Sequence, residues 1–190
     1  MNFDIYTTKS KEAVQSAQQL MTQNHNPQLE QIHLLAALLQ QENGLVPQLL
    51  KKMDVTLESV QAAVQAEMQK LPAISGSVDF DQVHADSSVI SALNAAEDQA
   101  KTMKDEYVSV EHLLLGLLET AQGGVKRIFT DYRITKEAVL QALQAVRGNQ
   151  RVTTDSPEGT YDALEKYGTD LVKKAREQKM DPVIGRDEEI

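Results

Sequence analysis

Two histidines at equivalent places in the sequence are the first residues that could do chemistry. His33 opens the stretch His-Leu-Leu-Ala-Ala-Leu-Leu, and His112 opens the stretch His-Leu-Leu-Leu-Gly-Leu-Leu. Two imidazoles could supply half of a metal site or take part in proton transfer. The apolar residues after each histidine have helical spacing, and they are too apolar for an exposed helix. Each histidine therefore belongs to a helix that we predict at the centre of a hydrophobic core.

The two stretches lie 79 positions apart, and the same offset relates the residues around them. Glycine and threonine positions match as well as apolar ones, which a chance similarity between Leu-rich helices does not explain. The matched pairs include Ala13 with Ala92, Ala17 with Ala96, Gly44 with Gly123, Thr56 with Thr135, and Val60 with Val139. This pattern predicts a tandem duplication of a helical unit rather than an array of short repeats. His33 and His112 are then the same packing position in two copies, and we predict no metal site.

No other group of residues has the pattern of a catalytic site. The sequence contains no Cys, no Gly-x-Ser-x-Gly, no His-Glu-x-x-His and no Gly-x-x-x-x-Gly-Lys phosphate-binding loop. We therefore predict that this stretch of chain has no catalytic residues and binds no cofactor. A hydrolase that uses acidic residues is the remaining enzymatic alternative, and a broad activity screen would detect it.

Composition restricts the class of protein further. The 190 residues carry a net charge of −9, so we expect no nucleic-acid partner. The Met-Asn-Phe-Asp start does not resemble a signal peptide, and no apolar run reaches membrane-spanning length, so we expect no membrane contact. The absence of cysteine fits a reducing compartment. These features together predict a cytoplasmic protein.

Helical periodicity and turn signals predict an all-α fold. We expect two tandem pseudo-repeats of four helices each, about eight helices in total, with repeat 1 at about 7–71 and repeat 2 at about 86–148. Residues 72–85 contain Gly76 and no periodicity, which is typical of a connector. The polar stretch 149–159 is predicted to be an interdomain linker. Two such lobes packed face to face leave a groove, which is a usual place for a peptide.

Three stretches resemble one known family. The final ten residues, Asp181–Ile190, resemble the start of the first ATPase domain of the Hsp100/Clp AAA+ unfoldases. The preceding Thr160–Leu171 resembles the ClpB-type disaggregases more than their protease-coupled relatives. The duplicated helical repeat, with His33-Leu34-Leu35 and Glu111-His112-Leu113-Leu114, is similar to the Clp N-terminal domain. The resemblance implies a Clp N-terminal domain at 1–148 and the truncated start of an AAA+ domain at 160–190.

The resemblance also implies a function. It is that of a substrate-recognition domain, which binds unfolded or aggregated polypeptides and passes them to a hexameric, ATP-driven pore. ATP and Mg²⁺ would belong to the full-length homohexamer, as would contacts with Hsp70-system chaperones, whereas this stretch alone should be monomeric. The alternative is an adaptor-binding N-terminal domain of a protease-coupled Clp unfoldase. A middle coiled coil or a peptidase-docking loop further along the full-length chain would distinguish the two.

The resemblance places candidate substrate-handling residues at Thr7, Asp105 and Glu111. Each has a structural alternative, because Thr7 is a possible helix N-cap, Asp105 lies in a predicted turn, and Glu111 lies in the first turn of a helix. Leu93 is a fourth candidate, since the Ala-rich helix Ser88–Lys104 could line the groove and has few other large apolar side chains.

A nucleotide-binding role is implied only for the intact parent protein. There, Val183, Ile184 and Gly185 would lie near the adenine. Without a phosphate-binding loop in this stretch, we expect no measurable nucleotide affinity.

Overall fold

The computed structural model describes residues 2–76 and 84–158. Within these ranges the chain forms eight α-helices and one short 3-10 helix at Phe3–Ile5. The helices are α1 (Thr8–Gln23), α2 (Gln31–Gln40), α3 (Leu45–Lys52), α4 (Leu57–Gln69), α5 (Ser87–Thr102), α6 (Val110–Thr120), α7 (Gly123–Asp131) and α8 (Lys136–Arg147). The first four form repeat 1 and the last four form repeat 2, so the predicted all-α fold of two four-helix repeats is confirmed.

The two helices that carry the His-Leu-Leu stretches lie at the centre of the molecule. Every residue of α2 from Gln31 to Leu39 is buried, and so is every residue of α6 from Val110 to Leu117. Their side chains belong to one hydrophobic cluster that includes residues from all eight described α-helices. The two repeats therefore share a single core instead of having one each, which explains why neither central helix has a polar face.

Small residues let α5 and α6 pack closely. A Cβ atom at Gly116 of α6 would overlap with the carbonyl oxygen of Ala92 and would lie 2.8 Å from the backbone nitrogen of Ala96, both on α5. The alanines of α5 therefore face α6, which accounts for the Ala-rich composition of this helix. The suggestion that α5 lines a groove does not hold for Leu93, which is buried in the shared core.

Backbone hydrogen bonds between the two repeats hold them in a fixed relative orientation. The N–H of Thr7 donates to the carbonyl of Val108 at 2.9 Å, and the N–H of Val108 donates to Ile5 at 2.7 Å. Residues 84–86 make the same pair of hydrogen bonds with Leu29, each at 2.8 Å. Each repeat thus pairs the segment before its first helix with the segment before the other repeat's second helix. This reciprocal pairing brings the N-termini of α1 and α6 together.

The predicted start of an AAA+ domain at 160–190 lies outside the described residues, as do Val183, Ile184 and Gly185. Residues 77–83 of the predicted connector 72–85 also lie outside them.

Candidate functional site

The repeated histidine forms the same pair of hydrogen bonds in both repeats. Nδ1 of His33 accepts from the backbone N–H of Glu30, and Nδ1 of His112 accepts from the backbone N–H of Ser109, each at 2.9 Å. Because Nδ1 is an acceptor in both rings, the proton of the neutral imidazole lies on Nε2. Each ring therefore joins the start of its helix to a side chain in the preceding turn.

The partner of Nε2 differs between the repeats. His33 Nε2 lies 2.8 Å from the amide oxygen of Asn26, whereas His112 Nε2 lies 2.7 Å from a carboxylate oxygen of Asp105. Asn26 and Asp105 occupy the same position in the duplication. In repeat 1 the partner of Nε2 is uncharged, and burial lowers the pKa of His33 to about 4.

Repeat 2 adds further charges around its histidine. We call this group the repeat-2 polar cluster; it consists of Thr7, Asp105, Ser109, Glu111, His112, Arg147 and Glu158. The guanidinium of Arg147 contacts Asp105 through Nη2 and Glu111 Oε2 through Nη1, the latter at 3.3 Å. Ser109 donates its hydroxyl to the Glu111 carboxylate. The side chains of all seven residues are buried.

The carboxyl groups of the cluster have different pKa values because their partners differ. Burial acts to raise the pKa of Asp105, but hydrogen bonds from His112, Arg147 and the backbone N–H of Val152 outweigh it and hold the pKa at about 2. Burial raises the pKa of Glu111, and the nearby guanidinium of Arg147 only partly opposes this. Asp105 is therefore ionised over the physiological range.

The segment after α8 covers the cluster. We call residues 150–158 the C-terminal segment. The carbonyl of Val152 accepts from the N–H of Glu106 at 2.8 Å, and the Val152 side chain is fully buried. The carbonyl of Asp155 accepts from the N–H of Thr8, also at 2.8 Å. The described part of the predicted linker 149–159 thus packs against both repeats.

Glu158 ends the C-terminal segment between two helix N-termini. Its Oε1 accepts from the Thr7 hydroxyl at 2.7 Å, at the start of α1, and from the Val110 N–H at 3.4 Å, at the start of α6. Its Oε2 is buried and has no hydrogen-bond partner among the described residues. Burial raises the pKa of Glu158, while the hydrogen bond from Thr7 opposes the rise.

The structure brings three of the four predicted site residues together. Thr7 and Glu111 are 0% exposed, and the side chain of Asp105 is 0% exposed as well. Thr7 is also the N-cap of α1, since its hydroxyl accepts from the N–H of Ser10 at 3.1 Å. Leu93 lies apart from them, in the core. None of these four side chains offers a surface that a client could touch while the C-terminal segment is in place.

Two charged members of the cluster, Arg147 and Glu158, were not predicted from the sequence. A signal for Arg147 was present, because the duplication aligns it with the apolar Met68 and aligns Glu111 with Ile32. An acid and a base that replace apolar residues in the same copy of a repeat are candidates for an ion pair. Glu158 lies beyond the duplicated part and gave no such signal.

A separate cleft lies between the repeats on the opposite side of α8. It has a volume of about 470 Å³. The turn after α3 lines one wall, and Tyr132, Arg133 and α8 line the other. Its apolar lining includes Met53, Val55, Tyr132, Ala142 and Ala145. This is a groove between the two lobes, although α5 does not contribute to it.

No group of three or more acidic or histidine side chains in residues 2–76 and 84–158 is arranged to hold a metal ion. In the same ranges, no helix is both long and apolar enough to cross a membrane.

Comparison with known proteins identifies the family. The family model for the Clp repeat (R) N-terminal domain matches residues 5–132. A ClpB chaperone of Bacillus cereus is 42% identical over 191 residues, which cover the whole of this chain and 22% of that protein. The chain thus spans about a fifth of the length of this curated relative. It belongs to the Clp N-terminal domain family.

Solved structures show the same fold. The Hsp104 N-terminal domain from Candida albicans matches with a TM-score of 0.68 at 23% identity, over 80% of this chain and 98% of that one. A ClpV N-domain solved as a complex with a VipB peptide matches with a TM-score of 0.57 at 15% identity, over 82% of this chain and 91% of that one.

Proposed function

We propose that this Clp N-terminal domain recognises unfolded or aggregated polypeptides for an ATP-dependent protein disaggregase. The cleft between the repeats carries the proposal. It is large enough for several side chains of an extended peptide, and its lining mixes apolar groups with charged ones at the rim, which suits clients of variable sequence.

Pseudo-symmetry gives this cleft two similar walls. Met53 and Tyr132 are the same position in the duplication, and so are Asp54 and Arg133. The apolar pair offers contact area without directional demands, while the oppositely charged pair lies at the rim. The solved complex of a ClpV N-domain with a VipB peptide supports peptide binding as a use of this fold.

Thr7, Asp105, Glu111 and Leu93 have a supporting role in this proposal. The first three hold the N-termini of α1 and α6 and the C-terminal segment in place, and Leu93 fills the core beneath α5. Substitution of these residues would change client binding by altering the shape and stability of the domain.

The proposal extends to the whole protein. ATP and Mg²⁺ would bind in ATPase domains, the full-length chain would assemble as a homohexamer, and Hsp70-system chaperones would contact other parts of it. The name of the Bacillus cereus relative supports the disaggregase branch over the adaptor-binding alternative. Sedimentation of the 190-residue chain as a monomer would agree with hexamer contacts outside it.

Fluorescence anisotropy with a labelled, permanently unfolded polypeptide tests the binding function. The blocking variant is Ala145→Trp, which adds an indole to the wall of the cleft and removes no native contact larger than a methyl group. The matched control is Gln144→Trp on the adjacent exposed position of α8, which does not line the cleft. We expect the blocking variant to weaken binding at least tenfold and the control to bind like the unmodified chain.

Two results would overturn the proposal. One is the absence of binding at high micromolar concentrations of the unmodified chain. The other is equal binding by both tryptophan variants, which would place any client elsewhere. Binding of a folded adaptor protein in preference to the unfolded polypeptide would favour the adaptor-docking alternative.

A further inference from the structure

We propose that the C-terminal segment is a ligand held in cis. In this view residues 150–158 occupy a peptide-binding site at the N-termini of α1 and α6, and an extended peptide of the same chemistry can take their place. This site is separate from the cleft between the repeats, and the proposal does not depend on client binding there.

The contacts of the segment are those of a bound peptide. Its backbone accepts hydrogen bonds from Glu106 and Thr8 through the carbonyls of Val152 and Asp155, each at 2.8 Å. The Val152 N–H donates to Asp105 Oδ1 at 2.9 Å. Extended peptides are commonly bound in this way, with main-chain hydrogen bonds for affinity and a few side-chain pockets for specificity.

Buried side chains anchor the segment at both ends. Val152 is fully buried at one end, and Pro157 and Glu158 are buried at the other. The residues between them are exposed, since Thr153, Thr154, Asp155 and Ser156 all face solvent. The binding surface therefore selects an aliphatic side chain followed, five and six positions later, by a proline and a carboxyl group.

The pocket around Glu158 supplies hydrogen-bond donors for a carboxyl group. Glu158 receives hydrogen bonds from the Thr7 hydroxyl and the Val110 N–H, and the positive ends of two helix dipoles converge there. Its second oxygen is buried and has no hydrogen-bond partner among the described residues. Burial outweighs these contacts and raises the pKa of Glu158, so the pocket favours the protonated carboxyl group.

Charge balance makes the segment displaceable. The cluster holds three carboxyl groups, those of Asp105, Glu111 and Glu158, against the single guanidinium of Arg147. Asp105 and Glu111 both contact that guanidinium directly. The nearby Glu111 charge opposes the arrival of the Glu158 carboxylate. The C-terminal segment is thus bound less tightly than its number of hydrogen bonds suggests.

The test supplies the segment in trans. A labelled nine-residue peptide with the sequence of residues 150–158 is titrated against the double variant Val152→Asp/Glu158→Lys, whose own segment should undock. We expect micromolar binding to the double variant and at least tenfold weaker binding to the unmodified chain. A peptide that carries the Glu158→Lys change should not bind either protein.

A control variant and a folding check make the result decisive. Thr153→Lys changes charge at an exposed position of the segment and should leave peptide binding as weak as in the unmodified chain. Circular dichroism verifies that the variants keep their helices. If the double variant unfolds, Glu158→Lys alone keeps the Val152 anchor and should still bind the peptide at least threefold more tightly than the unmodified chain does.

Failure of the peptide to bind a folded variant overturns the proposal. Equal binding to the variant and the unmodified chain overturns it too, because the site would not be occupied in cis. Neither result bears on client binding in the cleft between the repeats. Conversely, peptide binding together with no effect of Ala145→Trp on unfolded polypeptides would reject the proposed function and keep the cis ligand.

Discussion

Repeat 1 and repeat 2 bury the same histidine in different chemical surroundings. In repeat 1, Asn26 hydrogen-bonds His33, and the positions equivalent to two further residues of the repeat-2 polar cluster are Ile32 and Met68, so none of the three carries a charge. In repeat 2 the corresponding residues are Asp105, Glu111 and Arg147, which form a buried ion-pair network. The hydrogen bond from the backbone to the histidine is the same in both repeats, so it forms without these charges in repeat 1.

The difference lies in what each surface supports. In repeat 1 the amide of Asn26 donates to the carbonyl of Pro72 at 3.0 Å, just after α4. In repeat 2 the Asp105 carboxylate accepts from the N–H of Val152, and the segment continues to Glu158. At these positions, one copy of the duplicated unit has uncharged residues, and the other has charged residues that contact the C-terminal segment.

The largest effect should come from removing the only guanidinium of the network. Arg147→Met, which copies Met68 of repeat 1, leaves the buried carboxyl groups of Asp105 and Glu111 without a cation. We expect the free energy of unfolding to fall by about 3–5 kcal/mol, as measured by urea denaturation.

A triple variant tests whether charge imbalance is the cause. This variant gives repeat 2 the residues of repeat 1 at three positions: Asp105→Asn, Glu111→Ile and Arg147→Met. Because neutral sets often replace buried ion pairs without loss, most of the stability should return. A triple variant less stable than Arg147→Met alone would show that the two repeats are not interchangeable at these positions.

The second comparison concerns how closely the helices pack. Gly116 of α6 corresponds to Ala37 of α2, so repeat 1 already accommodates the methyl group that repeat 2 excludes. Gly116→Ala would place a Cβ atom against the backbone of Ala92 and Ala96, and we expect a loss of about 2–3 kcal/mol in thermal or urea unfolding.

Gly124→Ala is the matched control for this change. The nearest atoms to its added Cβ belong to the flexible side chain of Glu67, which can move away. We expect its effect to stay below about 1 kcal/mol. Equal losses in the two variants would mean that α5 and α6 can separate at little cost.

The third comparison concerns how the stability of the protein depends on pH. Burial lowers the pKa of His33 from 6.5 to about 4, so the unfolded chain takes up a proton before the folded chain does. The contribution of His33 to the free energy of unfolding is complete above pH 6.5. It is lost as the pH falls toward 4, by on the order of 2–3 kcal/mol.

His33→Gln should remove this part of the pH dependence, measured as the free energy of unfolding between pH 7 and pH 4. His84→Gln makes the same substitution at an exposed position and is the control. An unchanged slope in His33→Gln would assign the pH dependence to other groups.

The smallest effect concerns docking of the C-terminal segment. Burial raises the pKa of Glu158, so the docked segment binds a proton more readily than the free one. Its immediate neighbours are the hydrogen-bond donors Thr7 and Val110 and the ionisable groups of Glu111 and His112. Docking is therefore strongest at acidic pH and weakens as the pH rises through the raised value.

Hydrogen exchange of residues 150–158 at pH 5 and pH 8, corrected for intrinsic rates, measures this effect. Protection should fall at the higher pH by about tenfold per unit of pKa shift. Glu158→Gln carries no titrating group at this position, and its protection should be nearly constant. Protection that increases with pH in the unmodified chain would contradict the direction of the shift.

The sequence by itself determined the helices and the duplication. Hydrophobic spacing and caps such as Thr7 and Thr135 are local signals, since each depends on residues within a few positions of one another. The constant offset of 79 then identified His33 and His112 as one structural position, because a packing role is inherited with its helix. The same comparison of repeats could have paired Arg147 with Glu111.

Only the tertiary structure decided the surroundings of the candidate residues. Thr7 and Glu158 are hydrogen-bonded across 151 positions, and neither has a sequence feature that selects the other. Likewise, the Ala-rich sequence of α5 predicted a helix that could line a groove, whereas in the structure α6 packs against these alanines at Gly116. Burial depends on which distant segments cover a residue, and backbone bridges between the repeats set that arrangement, so local sequence does not encode it.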